Sequence, residues 1–203
     1  MTITLYHCPG ARSVRSLWTI LEMGLEHELI TLPFPPRVHA KEYKEVNPLG
    51  TVPCLIDGDT QMTESSGICH YLAEKYGPTD LVVRPEEADF GAYINWLFRS
   101  DATLTFPQTI YFRYTELEPE ERRVPQAAED YRVWFLARWR CVDAVLQDGR
   151  RYLCADRFTN ADIVIAWTLF FANRLGIEEA ATPAVQKWYD HVTDRPAFRE
   201  AIQ

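Results

Sequence analysis

The chain has 203 residues, 47% of them hydrophobic and 25% charged, an ordinary balance for a globular protein of one large or two small domains. A net charge of −8 argues against a nucleic-acid partner, which favours a basic patch, but not against small anionic ligands. The longest apolar run, residues 163–172, is too short to span a bilayer, and the N-terminus lacks the pattern of a secretion signal. We therefore expect a cytoplasmic protein with no membrane segment.

The polarity pattern of the first 46 residues predicts a strand, a helix, a second strand and a second helix, in that order. Residues 2–7 alternate in polarity as a strand does, and from Arg12 onward the apolar positions fall at helical spacing until Gly24 ends the helix. A second strand fits residues 27–32, and a short helix fits residues 38–46.

Residues 47–62 predict a β-hairpin. Its first strand, residues 52–56, ends at Asp57-Gly58, a dipeptide that tolerates the positive φ angles of a two-residue turn. Pro53 cannot donate to a sheet ladder, so it can only open this strand. Val52 before it can then present its N–H and C=O to an extended peptide. The residues alone leave the isomer of the Val52–Pro53 bond open.

A helix follows the hairpin, since Glu64-Ser65-Ser66-Gly67 precedes residues with helical periodicity. We predict a serine cap. The N–H groups of the first turn, the Ser65 hydroxyl and the positive end of the helix dipole together suit a carboxylate. An ordinary helix cap without a ligand is the alternative interpretation.

The rest of the chain is helical in pattern, with no convincing strand. Pro107 is expected to kink or end the first long helix. Thr159 and Asp162 form a capping-box-like start in which Asp replaces the usual Glu. The predicted helices cover residues 86–114, 120–146 and 163–175, and a last one begins near Thr182-Pro183.

The five cysteines are scattered, without C-x-x-C or the paired spacing of a zinc site, so no metal is predicted. Reduced and mostly buried thiols are expected. Only Cys8 lies where reactivity would matter, in the turn before the first helix. The cysteines are Cys8, Cys54, Cys69, Cys141 and Cys154.

Several of these motifs together carry a family resemblance. The run N-P-L-G-T-V-P-C-L at 47–55, then D-G, then T-E-S at 63–65, then a helix ending Y-L-A-E-K-Y-G, resembles the glutathione-binding half of a cytosolic glutathione transferase. The family's pattern has a cis-proline after a branched residue and an acidic residue followed by Ser about a dozen positions later. Val52-Pro53 and Glu64-Ser65 match it, and the T-x-x-D box extends the resemblance over nearly the whole chain.

The resemblance implies the glutathione transferase fold, an α/β thioredoxin-like N-terminal domain followed by an all-α C-terminal domain. The implied boundaries are residues 1–77 for the first domain, 78–86 for a linker and 87–203 for the helical domain. It also implies a homodimeric enzyme that activates the thiol of glutathione, its co-substrate, for attack on an electrophilic hydrophobic acceptor. The residues that it places at glutathione are Thr51, Val52 and Pro53 at the cysteinyl part, Glu64 and Ser65 at the γ-glutamyl end, and Lys41 or His39 at the glycyl carboxylate.

Four residues compete to support the glutathione thiolate. The piece P-G-A-R-S at 9–13 is similar to the bacterial beta-class pattern, with Arg12 where that class has Cys and with Ser13 as the matching hydroxyl. Arg12 either supplies positive charge to the thiolate or is simply exposed. Cys8-Pro9 resembles omega-like and glutaredoxin-like sites, in which the cysteine itself attacks a disulfide, and Tyr6 matches the strand tyrosine of other classes.

The sequence leaves two alternatives to a transferase open. One is a glutathione-dependent thiol oxidoreductase that uses Cys8. The other is a glutathione-binding or stress-response module that keeps the fold without turnover, because no catalytic hydroxyl is unambiguous.

Overall fold

The computed structural model of the chain describes residues 2–203, which divide into two units. The first unit contains residues 2–82 and 194–203, and the second contains Val83–Thr193. This division differs from the predicted helical domain, residues 87–203, at the C-terminal end. The last ten residues belong to the first unit, because Phe198 packs on Trp18 with ring centroids 4.7 Å apart and Arg195 pairs with Glu22 at 2.6 Å.

A four-stranded mixed sheet forms the centre of the first unit. Its strands are β1 Ile3–His7, β2 His27–Thr31, β3 Cys54–Asp57 and β4 Thr60–Met62. They lie in the order β2-β1-β3-β4, with β1 parallel to β2, β3 antiparallel to β1, and β4 antiparallel to β3. The predicted order of strands and helices in this unit is confirmed.

The helices of the first unit follow the predicted periodicity with small shifts. Gly24, with φ +61°, ends the first helix as predicted. The predicted helix over residues 38–46 consists of two short pieces that meet at Ala40. The helices are α1 Ser13–Glu22, α2 Pro36–His39, a 3-10 helix Lys41–Glu45, α3 Ser65–Lys75 and α9 Pro196–Ala201.

The second unit is helical throughout its ordered elements. Its helices are α4 Phe90–Arg99, α5 Phe106–Phe112, α6 Pro125–Leu146, α7 Asn160–Arg174 and α8 Pro183–Thr193. Pro107 does not end a helix, because it lies in the first turn of α5, directly after a π-helical segment Ser100–Thr105. Within residues 2–203 we find no helix with the length and apolarity that a bilayer crossing requires.

Asp57, at the end of β3, ties the hairpin to helix α3. Its buried carboxylate accepts hydrogen bonds from Tyr71 Oη at 2.9 Å and Tyr76 Oη at 2.7 Å, and pairs with Lys75 Nζ at 2.8 Å. Burial alone would raise the pKa of the Asp57 carboxyl. The hydrogen bonds from Lys75, Tyr76 and Tyr71 outweigh burial, so the pKa lies below its ordinary value.

We expect Asp57→Asn to lower the free energy of unfolding at pH 7 by about 2 kcal/mol, because the amide offers neither the charge nor the second acceptor oxygen. Since the folded pKa of Asp57 lies below the unfolded one, the stabilisation is present at neutral pH and is lost as the pH falls through the folded pKa. Denaturant unfolding of Asp57→Asn and wild type at neutral pH and at about pH 3 measures the loss of stability and its dependence on pH. Asp59→Asn, in the exposed turn, is the control. An equal difference from wild type at both pH values would contradict the assignment.

Candidate functional site

The entry to β3 presents an unpaired stretch of backbone. The Val52–Pro53 peptide bond is cis, as the family's pattern has it. Because β3 begins only at Cys54, Val52 lies outside the sheet ladder. Within residues 2–203, no backbone hydrogen bond uses the N–H or the C=O of Val52. These are the two groups that the sequence interpretation assigned to pairing with an extended peptide.

The loop before Val52 is held by two buried side chains that the sequence did not single out. Tyr43 Oη donates to the carbonyl oxygen of Thr51 at 2.8 Å, and Asn47 Nδ2 donates to the same oxygen at 2.9 Å. Asn47 Oδ1 accepts from the N–H of Leu49 at 3.2 Å. The sequence marks Asn47 only as part of a motif, because its role depends on a carbonyl four residues away in a loop without periodicity.

Helix α3 begins one residue earlier than a cap by Ser65 requires, because Ser65 already lies inside the helix. Glu64 is the N-cap residue, with extended backbone, and no side chain caps the helix, so the predicted serine cap is wrong. Ser65 is the first helical residue, and its buried hydroxyl oxygen accepts a hydrogen bond from Arg15 Nη1 at 3.2 Å. The Glu64 side chain is exposed, and within residues 2–203 it has no hydrogen-bond or ion-pair partner.

The start of helix α1 does not leave Ser13 available to a ligand. Ser13 is fully buried, and its oxygen accepts from the N–H of Cys8 at 3.2 Å while its hydroxyl donates to the carbonyl of Cys8 at 3.3 Å. Both contacts close the turn between β1 and α1. Arg12, the N-cap residue of α1, is half-buried, and its guanidinium has no partner within the described part of the chain.

Cys8 lies in the core of the first unit. It is fully buried in a cluster with Tyr43, Val52 and Cys54, and burial raises the pKa of its thiol to about 11. Because the thiolate is the reactive form of cysteine, this environment is that of an inert structural thiol. Tyr6 is half-buried at the edge of the same cluster, with its ring centroid 5.1 Å from that of Tyr43.

Lys41 and His39 are exposed, and within residues 2–203 neither has a hydrogen bond or ion pair. Their geometry fits an ordinary surface side chain as well as a contact to a carboxylate. Metal binding has no candidate among the described residues, since no three His, Cys, Asp or Glu side chains come together.

Arg15 is a further residue of this site that the sequence interpretation missed. Its side chain is fully buried on α1, although arginine is rarely found inside a protein without a partner. The only sequence signal is a charged residue between the apolar positions Val14 and Leu17 on an amphipathic helix. Its contact with Ser65 spans fifty positions, so local patterns cannot show it.

Comparison with known proteins adds two family matches. The family description "Glutathione S-transferase, N-terminal domain" matches residues 4–80, and "Glutathione S-transferase, C-terminal domain" matches residues 134–196. Together they span most of the chain, including the cis-proline loop, the start of α3 and the capping box of α7.

Individual relatives agree with these matches. The chain is 28% identical to "Glutathione S-transferase 3" of Zea mays over 212 residues, covering 98% of this chain and 93% of the relative. It is 24% identical to "Glutathione S-transferase 3" of Schizosaccharomyces pombe over 218 residues, covering 99% and 87%. Among solved structures, Ure2p5 from Phanerochaete chrysosporium, cocrystallized with 1-(S-glutathionyl)-2,4-dinitrobenzene, has a TM-score of 0.83 and 26% identity, covering 98% and 92%.

Proposed function

Because the chain belongs to the glutathione S-transferase family, we propose that it binds glutathione along Val52 and activates its thiol for attack on an electrophilic hydrophobic acceptor. The observation that carries this proposal is the pair of unused backbone groups on Val52, in the loop that Asn47 and Tyr43 fix. The cysteinyl residue of glutathione, in extended conformation, would donate one hydrogen bond to Val52 and accept one from it.

The γ-glutamyl end of glutathione fits the start of α3. The exposed Glu64 carboxylate suits the α-ammonium group, and the Ser65 hydroxyl with the first N–H groups of the helix suits the α-carboxylate. Thr51 and Pro53 shape the loop on the other side. At the other end of glutathione, the exposed side chain of Lys41 or His39 would bind the glycyl carboxylate.

Activation of the thiol is best assigned to Arg12. Arg12 is the N-cap residue of α1, at the end of the helix where the helix dipole also favours negative charge. Ser13 cannot serve, because its hydroxyl is buried and bonded to the backbone of Cys8. A cation near the sulfur lowers the pKa of a thiol from its ordinary value of about 8.5 and so raises the thiolate fraction at neutral pH. The thiolate then forms the carbon–sulfur bond to the acceptor.

The alternatives have less support. A thiol oxidoreductase that uses Cys8 requires a reactive thiolate, whereas Cys8 is fully buried with a raised pKa. Against a module without turnover, the fungal relative Ure2p5 was cocrystallized with a glutathione conjugate of dinitrobenzene, which suggests electron-poor aromatic rings as acceptors. The narrower beta-class assignment has Ser13 and Pro9-Gly10 in its favour, but Arg12 replaces the class's cysteine and the curated relatives come from fission yeast and plants.

We further propose that the enzyme works as a cytoplasmic homodimer. Five free cysteines suit a reducing compartment. On the second unit, Phe106 and Trp134 are about half exposed on either side of Tyr131, whose ring stacks on Trp134 with centroids 5.5 Å apart. An exposed aromatic patch of this kind is typical of a protein interface.

The proposed function is tested by calorimetric titration with glutathione, together with the ultraviolet absorbance of the bound thiolate at neutral pH. We expect binding with a thiolate signal, and we expect Glu64→Ala to weaken binding about tenfold, the effect of losing one charge-assisted hydrogen bond. Glu26→Ala, at an exposed glutamate after α1, is the matched control. Absence of binding to the wild-type protein would overturn the proposal, and unchanged affinity in Glu64→Ala would overturn the assignment of the γ-glutamyl end.

A further inference from the structure

The fully buried charge of Arg15 has no role in the proposed activation of the thiol or in direct contact with glutathione. Arg15 lies in the middle of α1, which packs against α3 within the first unit. Taking a guanidinium out of water is costly, and it is tolerated only where polar groups compensate for the lost hydration. One compensating group is the hydroxyl of Ser65, the first residue of α3, at 3.2 Å from Arg15 Nη1.

This contact fixes what the Ser65 hydroxyl can do. A serine hydroxyl has one hydrogen to donate and two lone pairs to accept. Arg15 can only donate, so it occupies a lone pair of Ser65 and leaves the hydroxyl hydrogen free. Within residues 2–203, no other group receives that hydrogen. The positive charge of Arg15 also polarises the O–H bond, which makes Ser65 a stronger donor.

The charge has a second consequence at the same place. The N-terminus of α3 already carries the positive end of the helix dipole, and a buried guanidinium beside it adds positive potential of the same sign. The positive end of the α3 dipole and the guanidinium of Arg15 repel each other, and a bound anion offsets this repulsion. The arrangement therefore favours a carboxylate over a neutral group of the same size.

We propose that Arg15 is a positioning residue that orients and polarises the Ser65 hydroxyl so that the start of α3 selects the α-carboxylate of the γ-glutamyl group. The inference rests on the proposed glutathione site. It differs from the assignment of Glu64 and Ser65, because Arg15 is buried and acts on the ligand only through Ser65.

The test compares Arg15→Met, Arg15→Lys, Ser65→Ala and the double variant Arg15→Met with Ser65→Ala. We expect Arg15→Met to raise KM and Kd for glutathione about tenfold and to leave kcat within about twofold. Arg15→Lys keeps the charge on a flexible stem and should recover part of the affinity. The double variant should bind about as weakly as Ser65→Ala alone, because the two residues act as one unit. Ser16→Ala, a buried neighbour on the same helix, is the matched control.

A second ligand separates this role from a merely structural one. In a glutathione analogue with 4-aminobutyrate in place of the γ-glutamyl residue, the α-carboxylate is missing, so Arg15→Met should leave its Kd unchanged. Equal weakening of glutathione and the analogue, or full additivity of Arg15→Met with Ser65→Ala, would overturn the inference. If Arg15→Met does not fold, the same comparison is made in Arg15→Lys. We then expect a smaller rise in Kd for glutathione and again no change in Kd for the analogue. Failure of the wild-type protein to bind glutathione would instead overturn the proposed function.

Discussion

Asp162→Ala is expected to lower the free energy of unfolding of the helical unit by about 4 kcal/mol or more. Asp162 is fully buried and accepts hydrogen bonds from the N–H groups of Leu153 and Thr159, both at 3.0 Å, and from Trp188 Nε1 at 3.1 Å. Alanine would leave each of these buried donors without a partner. The loss would also remove half of the capping box that starts α7.

The carboxylate form of Asp162 is the one that fits this environment. Burial raises the pKa of Asp162 to about 6, and the hydrogen bonds from Leu153, Thr159 and Trp188 oppose that rise. At pH 7 the group is therefore ionised and can accept from all its donors. Asp162→Asn keeps the shape but turns an NH₂ group toward N–H donors, so we expect it to cost about half as much as Asp162→Ala.

Chemical denaturation followed by tryptophan fluorescence measures this prediction. The chain has six tryptophans, and every one except Trp18 lies in the second unit, so the signal reports mainly on the unit that contains Asp162. Thr159→Ser, which keeps the capping hydroxyl, is the control and should cost less than about 1 kcal/mol. A loss below about 1 kcal/mol in Asp162→Ala would show that the buried donors find other partners.

The parts of the structure that the sequence predicted are those with local signals. Periodicity placed α1 and α3, and the T-x-x-D spacing placed the start of α7. The hairpin was predicted from Asp57-Gly58, but its two-residue turn consists of Gly58 and Asp59, because Asp57 still pairs with Thr60 in the sheet. Each of these signals lies within a few residues of the element it specifies.

The parts that were missed depend on contacts between distant residues. Ser13 looks like a free hydroxyl in the sequence, and only the folded turn shows that its bonding capacity is used by Cys8. Arg15 looks like a surface charge, and only the packing of α1 against α3 brings it to Ser65. The C-terminal segment was assigned to the helical domain by order along the chain, whereas Phe198 packs on Trp18. Periodicity cannot report such pairings, since the partner is far away in sequence.

Arg12→Gln is expected to produce the largest change in catalysis. If the guanidinium stabilises the thiolate of bound glutathione, its removal should raise the pKa of that thiol by about one to two units. The thiolate fraction at pH 7 would then fall, and kcat/KM toward an electron-poor aromatic acceptor would fall about ten- to a hundredfold. Arg140→Gln, at an exposed arginine on α6, is the matched control.

The dependence of this loss on pH identifies its cause. A raised thiol pKa moves the rising limb of the pH–rate profile to higher pH, so Arg12→Gln and wild type should converge above about pH 9. Arg12→Lys, which keeps the charge, should lie between the two. A parallel profile, lower by the same factor at every pH, would mean that Arg12 positions the substrate without acting on the thiol. An unchanged rate would mean that Arg12 does not stabilise the thiolate. The stabilising group would then be the Tyr6 hydroxyl, or the backbone N–H groups at the start of α1 together with the helix dipole.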